Sequence, residues 1–173
     1  IAGAFGETAE TLIAIAAVSL RAGPLAYLLF LKAAEEGNLP LVESHPDLIN
    51  GDDGSKAVSL LQAGLPNLTG PERDRLIRFA LPVDRWLSLP HGYMFDLISD
   101  AVGGPLPATV AQPLVASGLW DKVEPNLIEA AAEAVAPLIP LELSARFIAR
   151  FENAAPRAAQ FHKFLSTLSA TVT

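Results

Sequence analysis

Proline follows leucine or isoleucine at irregular intervals along this chain, and this pattern constrains the fold more than any other feature. The pairs are Leu39-Pro40, Leu65-Pro66, Leu81-Pro82, Leu89-Pro90, Leu106-Pro107 and Ile139-Pro140. Proline fits the first turn of a helix, but in a helix interior it lacks the required N–H and clashes with the preceding turn. Each pair therefore predicts a boundary between short helices, and the irregular spacing is not that of a repeat protein.

Hydrophobic periodicity indicates helices and not strands. No stretch sustains the alternation of apolar and polar residues that a half-buried strand shows, and β-branched runs are absent. Apolar residues instead recur every three or four positions, most clearly over residues 125–138, 141–153 and 157–169. We predict an all-α fold, a single compact array of about nine or ten short proline-bounded helices without a sheet, as one domain over residues 1–173.

The ends of these helices follow from glycines, prolines and capping residues. We expect helices over residues 8–22, 24–37, 55–63, 70–81, 82–88, 92–102, 107–117, 125–138, 141–153 and 157–169. Ser55 is the expected N-cap of its helix, and Gly64 the expected stop. Thr69 and Glu72 have the spacing of a capping box, in which each side chain bonds the backbone of the other.

The charge balance excludes one class of partner. The chain has 19 acidic and 12 basic side chains, which gives a net charge of −7. Nucleic-acid binding needs a basic stripe that displaces counterions, and the best basic cluster, residues 72–78, is interrupted by acids. We therefore predict no nucleic-acid partner, and the same charge disfavours anionic membranes.

Cysteine is absent from the sequence. Its absence excludes disulfides, thiolate zinc sites, iron–sulfur clusters and cysteine nucleophiles, but it does not indicate a compartment. The hydrophobic fraction is 51% and the charged fraction 18%, below the usual charged share of about 25%. Either small residues let the helices pack closely, or part of the apolar surface meets a subunit, a ligand or a membrane.

The most hydrophobic segment, residues 11–34, has the length of a membrane span. Arg21 and the Gly23-Pro24 pair interrupt it and leave two apolar pieces too short to cross a bilayer. This pattern favours two buried helices of a soluble protein over a membrane-inserted hairpin.

The most polar segment is VESHPDLINGDDGS, residues 42–55, which contains His45. Its acids do not have the spacing of an EF-hand calcium loop, which needs acids at positions one, three and five before a glycine at six. With Gly54 at six, only Asp53 fits, and with Gly51 at six no acid fits. A transition-metal site of the two-histidine type needs a second histidine, which this segment lacks. We therefore predict no metal site and interpret the segment as a turn-rich connection between two helices.

The same region also carries a pair of short motifs. They are His45-Pro46-Asp47-Leu48, then Gln62-Ala63-Gly64-Leu65, followed by Leu68 and Glu72. Together they resemble part of the OHCU decarboxylase family, small all-helical enzymes of purine breakdown, over about 30 of the 173 residues. The resemblance implies that His45 acts on the substrate. The glutamate that assists in the family has no counterpart, because Leu61 stands immediately before Gln62, and the spacing between the two motifs is shorter than in the family.

A second group of chemically interesting residues surrounds Pro90. Asp84, Trp86, His91, Tyr93 and Asp96 lie within 13 positions of the sequence. Trp and Tyr are favoured where an apolar body needs a polar group, and an Asp–His pair can position a general base. This segment is either the wall of a pocket or a helix corner with surface contacts.

We favour a non-enzymatic binding or interaction module as the function. The high apolar fraction and the small-residue helices suit an apolar groove between helices that takes a hydrophobic small molecule or a partner helix. The candidate ligand-binding residues are Tyr27, Phe30, Trp86, Tyr93 and Phe161.

Two other function classes stay open. One is a small cofactor-free enzyme in which His45 or His91 is a catalytic acid or base. The other is a structural or assembly subunit whose apolar surface forms a homo-oligomer. Nucleophile-elbow and phosphate-loop motifs are absent, and the sequence does not identify a cofactor.

Overall fold

The computed structural model describes residue 11 and residues 23–49, 54–82, 93–116 and 120–171. These residues form eight α-helices and five short 3-10 helices, and no strand occurs among them, which confirms the all-α prediction. The α-helices are α1 (Gly23–Glu35), α2 (Leu39–Glu43), α3 (Ser55–Gly64), α4 (Gly70–Ala80), α5 (Tyr93–Val102), α6 (Ala108–Ala111), α7 (Ile128–Val135) and α8 (Leu141–Thr171). Apart from residues 11 and 82, the predicted helices over 8–22 and 82–88 lie outside the described residues.

The chain packs as two compact units, residues 1–80 and residues 81–173. Each unit has its own buried residues and is described by itself. The single domain expected over residues 1–173 stays a prediction.

In the first unit, α1 packs against α2 and α3, and α3 packs against α4. The core-facing stripe of α1 contains one large residue, Phe30, among the alanines Ala26, Ala33 and Ala34. Phe30 is completely buried, and burial of such a side chain contributes about 1.5–3 kcal/mol relative to exposure. The alanines let the neighbouring helices come close to α1, as the small-residue composition predicts.

The turn between α1 and α2 follows its sequence signals. The amide of Gly37 donates to the Ala34 carbonyl at 3.0 Å, and φ of Gly37 is 75°, the left-handed conformation that glycine adopts most easily after a helix. Asn38 then caps α2, because its side-chain oxygen accepts from the Leu41 amide at 3.3 Å. Pro40 lies in the first turn of α2, a helix that was not among those predicted, although the Leu-Pro pair marks its boundary.

In the second unit, α7 packs against α5 and α8, and the 3-10 segments Gln112–Val115 and Pro125–Leu127 also pack against α8. Trp120 is buried here, with 2% of its surface exposed. Its indole N–H donates to the Leu114 carbonyl at 3.0 Å, which satisfies the only polar atom of the ring. The ring centroids of Trp120 and Phe147 lie 5.8 Å apart.

Two predicted helices are divided by prolines into α-helical and 3-10 parts. Within the predicted helix over 107–117, residues 108–115 form α6 followed by the 3-10 segment Gln112–Val115. Residues 125–138 form α7 with a 3-10 segment on each side. Pro113, Pro125 and Pro137 each lie in the first turn of a 3-10 segment. Because proline has no N–H, the α-helical ladder does not continue through these positions.

The prediction of two separate helices over 141–153 and 157–169 is wrong, since α8 runs unbroken from Leu141 to Thr171 with Pro156 inside it. Leu143, Phe147, Ala154 and Ala158 are all buried, so one core-facing stripe continues past the proline. Pro156 itself lies on the exposed side, where its missing hydrogen bond leaves a carbonyl that water can reach. Tertiary packing of the stripe therefore outweighs the local cost of the proline.

α8 has 31 residues, but its charged side chains make it too polar for a bilayer. Among the residues that the structure describes, none of the helices combines the length and the apolar character that a membrane span requires.

Candidate functional site

His45 lies directly after α2, where the chain enters the 3-10 segment Pro46–Ile49. Its ring is half-buried, and its Nδ1 atom lies 3.1 Å from the Leu41 carbonyl oxygen and 2.8 Å from Ser44 Oγ. Ser44 Oγ in turn donates to the same Leu41 carbonyl at 2.8 Å. When Nδ1 carries the proton and donates it to this carbonyl, Nε2 keeps its lone pair, which is the arrangement of a histidine base.

The structure does not supply the carboxylate that the family resemblance pairs with this histidine. Leu60 and Leu61, which precede Gln62 where the family has its glutamate, are both completely buried in the core of the first unit. In the described parts of the chain, no group of three or more His, Asp or Glu side chains is placed to hold a metal ion. The catalytic role of His45 stays a prediction.

A salt bridge joins the helix before His45 to α4. Arg75 Nε donates to Glu43 Oε1 at 2.6 Å, and a second nitrogen of the same guanidinium pairs with Glu43 Oε2. This hydrogen bond with Glu43 raises the pKa of Arg75 above its ordinary value. This bidentate salt bridge fixes α2 against α4 and so helps to position the backbone at His45.

Two of the candidate ligand-binding residues, Tyr27 and Phe30, pack on each other in the first unit. Their ring centroids lie 6.3 Å apart with the rings 23° from parallel, and the Tyr27 hydroxyl donates to the Lys56 carbonyl at 3.2 Å. Burial raises the pKa of the Tyr27 phenol, and a hydrogen bond with Ser59 acts in the opposite direction. The two rings thus join α1 to α3, and their role in ligand binding stays a prediction.

The remaining candidates cannot be placed in a common site. Trp86 and His91 lie outside the described residues. Tyr93 is the first residue of α5 and Phe161 lies within α8, but the side chains of both are outside the described part.

A polar cleft in the second unit was not expected from the sequence. It has a volume of about 170 Å³ and is lined by Trp120, Asp121, Arg150, Asn153, Ala154 and Arg157. The guanidinium of Arg157 donates to the backbone carbonyls of Trp120, at 2.8 Å, and of Val123, at 3.2 Å. The sequence signal was the spacing of Arg150, Asn153 and Arg157, which places all three on one face of α8.

A wider groove of about 330 Å³ runs between α5 and α7. Asp96, Asp100 and Glu133 give it an acidic rim, and small residues such as Ala134 form its floor. Neither this groove nor the polar cleft has the mainly apolar lining that is typical of a site for a hydrophobic small molecule.

Large apolar side chains are exposed on two helices. On α1, the exposed fraction is 54% for Leu25 and 62% for Leu28. On α8, it is 87% for Leu141 and 53% for Ile148. Each pair has the spacing of one helical face. Single exposed leucines are common in soluble proteins, but pairs at helical spacing form the kind of surface that a partner helix recognises.

Comparison with protein-family models, with curated proteins and with solved structures finds no match for this chain. Function must therefore be inferred from the surfaces, clefts and hydrogen bonds of the chain itself.

Proposed function

We propose that this chain is a non-enzymatic interaction module that binds an amphipathic helix of a partner protein along one face of α8. The observation that carries the proposal is the exposure of Leu141 and Ile148, 87% and 53%, on the same face of the longest described helix. Ala145, which is also exposed, lies between them. We call Leu141, Ala145 and Ile148 the α8 seam.

The α8 seam has the geometry that helix recognition uses. Its members stand at positions i, i+4 and i+7, the spacing by which one helix presents an apolar stripe to another. The core of the second unit is met by a different face of α8, which carries Leu143 and Phe147. The seam therefore remains available for a partner, although its small area suits a weak or transient complex.

The charges around the seam indicate the chemistry of the partner. Glu142 flanks Leu141, and Glu152 lies one turn beyond Ile148 on the same face; both carboxylates are exposed. Arg146, which flanks Ala145, is also exposed, so carboxylates outnumber guanidiniums two to one among these flanking residues. A partner helix with leucines on its contact face and lysines or arginines beside them complements this surface. A second copy of the chain would bring the same carboxylates and a further net charge of −7, so a basic partner is favoured over self-association.

The alternatives have less support from the residues described. The histidine-dependent enzyme predicted from the HPDL motif lacks the family's glutamate, since Leu61 fills the core at that position. A hydrophobic small molecule would need more enclosure than the convex face of a helix provides. The homo-oligomer is tested directly by the experiment that follows.

The test uses a synthetic amphipathic peptide with leucines at helical spacing and lysines beside them, labelled for fluorescence anisotropy. Leu141→Gln and Ile148→Gln each remove an apolar side chain from the contact, and we expect each to weaken binding about tenfold. Leu25→Gln and Leu28→Gln are matched controls, because they remove leucines of α1 that are at least as exposed as Ile148, and they should leave the affinity unchanged.

Two results would contradict the proposal. One is that the α1 variants weaken peptide binding as much as the α8 variants do, which would mean that any exposed leucine can bind the peptide. The other is equal binding of a peptide in which glutamates replace the lysines, which would remove the charge argument. A mass in solution that doubles with concentration and reverts in Ile148→Gln would assign the α8 seam to a second copy and overturn the choice of partner.

A further inference from the structure

We infer that the second unit binds a small oxyanion, a carboxylate or a phosphate group, in the polar cleft beside α8. The cleft is lined by a different face of α8 from the seam, so this site is additional to the proposed function. Its volume of about 170 Å³ equals the liquid volume of roughly five or six water molecules. That space is below the range of drug-sized ligands and suits a small anion.

Arg157 is held in position for such a ligand. Two N–H groups of its guanidinium are fixed by the Trp120 and Val123 carbonyls, at 2.8 and 3.2 Å, and the others remain for a further acceptor. The two carbonyls are neutral, so they orient the guanidinium without neutralising its positive charge. A side chain that is already oriented loses less entropy when it binds an anion.

Arg150 brings a second positive charge into the same cleft. Among the described residues, neither Arg150 nor Arg157 has a carboxylate within 4.0 Å of its guanidinium. The chain has 19 acidic side chains and 12 basic ones. Two guanidiniums without an acid partner in one cleft are therefore unexpected from the overall negative charge. Asn153, one turn from each arginine, adds an amide that donates hydrogen bonds.

The floor of the cleft strengthens the attraction between these charges and an anion. Trp120 and Ala154 are 2% and 6% exposed, so the ligand would lie against packed apolar atoms and not against bulk water. Charges interact more strongly where water is excluded on one side. Asp121 also lines the cleft and opposes the arginines, which limits the ligand to low negative charge.

The site is tested by NMR titration of the full chain, labelled with ¹⁵N, with sodium phosphate and separately with sodium acetate. Sodium chloride keeps the ionic strength constant, and the side-chain N–H signals of Arg150, Asn153, Arg157 and Trp120 are followed. We expect saturable shifts of these signals with at least one anion, and the arm that saturates identifies phosphate or carboxylate as the ligand.

Three variants assign the shifts to the cleft. Arg150→Gln should weaken binding of the anion about fivefold, as expected for the loss of a partly exposed charge pair. Asp121→Asn should strengthen binding of the anion, because a carboxylate that repels the anion is removed. Arg146→Gln is the matched control: Arg146 is exposed one turn before Arg150, carries the same charge and does not line the cleft, so the affinity should not change.

The inference is overturned if neither anion gives saturable shifts at these side chains. It is also overturned if Arg146→Gln weakens binding as much as Arg150→Gln, because the attraction would then come from the general charge of α8. Arg150 is chosen for the main variant since Arg157 also holds two backbone carbonyls, and its loss would disturb folding.

Discussion

Gly64, the last residue of α3, lies close to residues of both α1 and α4 in the first unit. A Cβ atom at this position would overlap Leu76 Cδ2 of α4 and lie 3.4 Å from the Ala34 carbonyl oxygen of α1. Leu76 is 1% exposed and packed on all sides, so it has little room to move away. The backbone of Gly64 is in the ordinary helical region, with φ of −90°. The residue is therefore required for space and not for a left-handed turn.

Replacement of this glycine tests the packing of the first unit. We expect Gly64→Ala to lower the free energy of unfolding by about 1–2 kcal/mol, since overpacking of a full core outweighs the better helix propensity of alanine. Urea denaturation measures the change. Gly23→Ala is the control, because nothing lies within 4 Å of a Cβ at that position. Equal stability of wild type and Gly64→Ala would mean that the three helices separate easily.

α8 shows at the level of a whole element how packing overrides a local signal. Its buried stripe continues through Pro156, and the carbonyl of Glu152 lacks the backbone donor that any other residue at 156 would supply. A proline in a helix interior costs about 3 kcal/mol relative to alanine. The rest of α8 must supply the packing energy that offsets this cost.

Removal of the proline should therefore stabilise the second unit. We expect Pro156→Ala to raise the free energy of unfolding by about 1–3 kcal/mol, because the missing hydrogen bond is restored at an exposed position. Thermal unfolding followed by circular dichroism measures the gain. A loss of stability would show instead that a bend at Pro156 is needed to place Arg157 and Ala158.

Local signals predicted the element types well, whereas the cleft beside α8 depends on contacts that are distant in sequence. The stop at Gly37 was predicted correctly, because it depends on a few adjacent residues. α2 was not among the predicted helices, although the Leu39-Pro40 pair marked a helix boundary at its start. The N-cap of α3 is Gly54 and not the predicted Ser55, a shift of one residue. The cleft around Trp120 was not predicted, since Arg157 reaches carbonyls more than 30 positions away and no sequence pattern encodes that contact.

At the scale of the whole molecule, the dominant property is charge. A net charge of −7 on 173 residues creates repulsion in the folded state, and added salt screens it within about 10 Å at 0.1 M. Some basic side chains of the described residues form salt bridges, such as Lys32 with Glu35 within α1 and Arg75 of α4 with Glu43 of α2. These pairs are exposed and offset little of the repulsion.

Salt should therefore stabilise the protein at neutral pH. We expect the Tm to rise when sodium chloride is added to a dilute buffer at pH 7, as measured by calorimetry. Near pH 4.9, the isoelectric point calculated from the sequence, the net repulsion vanishes and the rise should disappear. A Tm that falls with salt at pH 7 would indicate that attractive ion pairs dominate.

The bond between Arg157 and Trp120 also has a consequence for the order of folding. Trp120 reaches the Leu114 carbonyl only 6 positions away, whereas Arg157 closes a loop of 37 residues to reach Trp120. Loop closure costs more entropy as the loop grows, so we expect the hydrogen bond between Trp120 and Leu114 to form first and those of Arg157 to form late. The two positive charges of the cleft then come together only once α8 has packed into place. An anion that binds them would therefore slow unfolding without speeding folding.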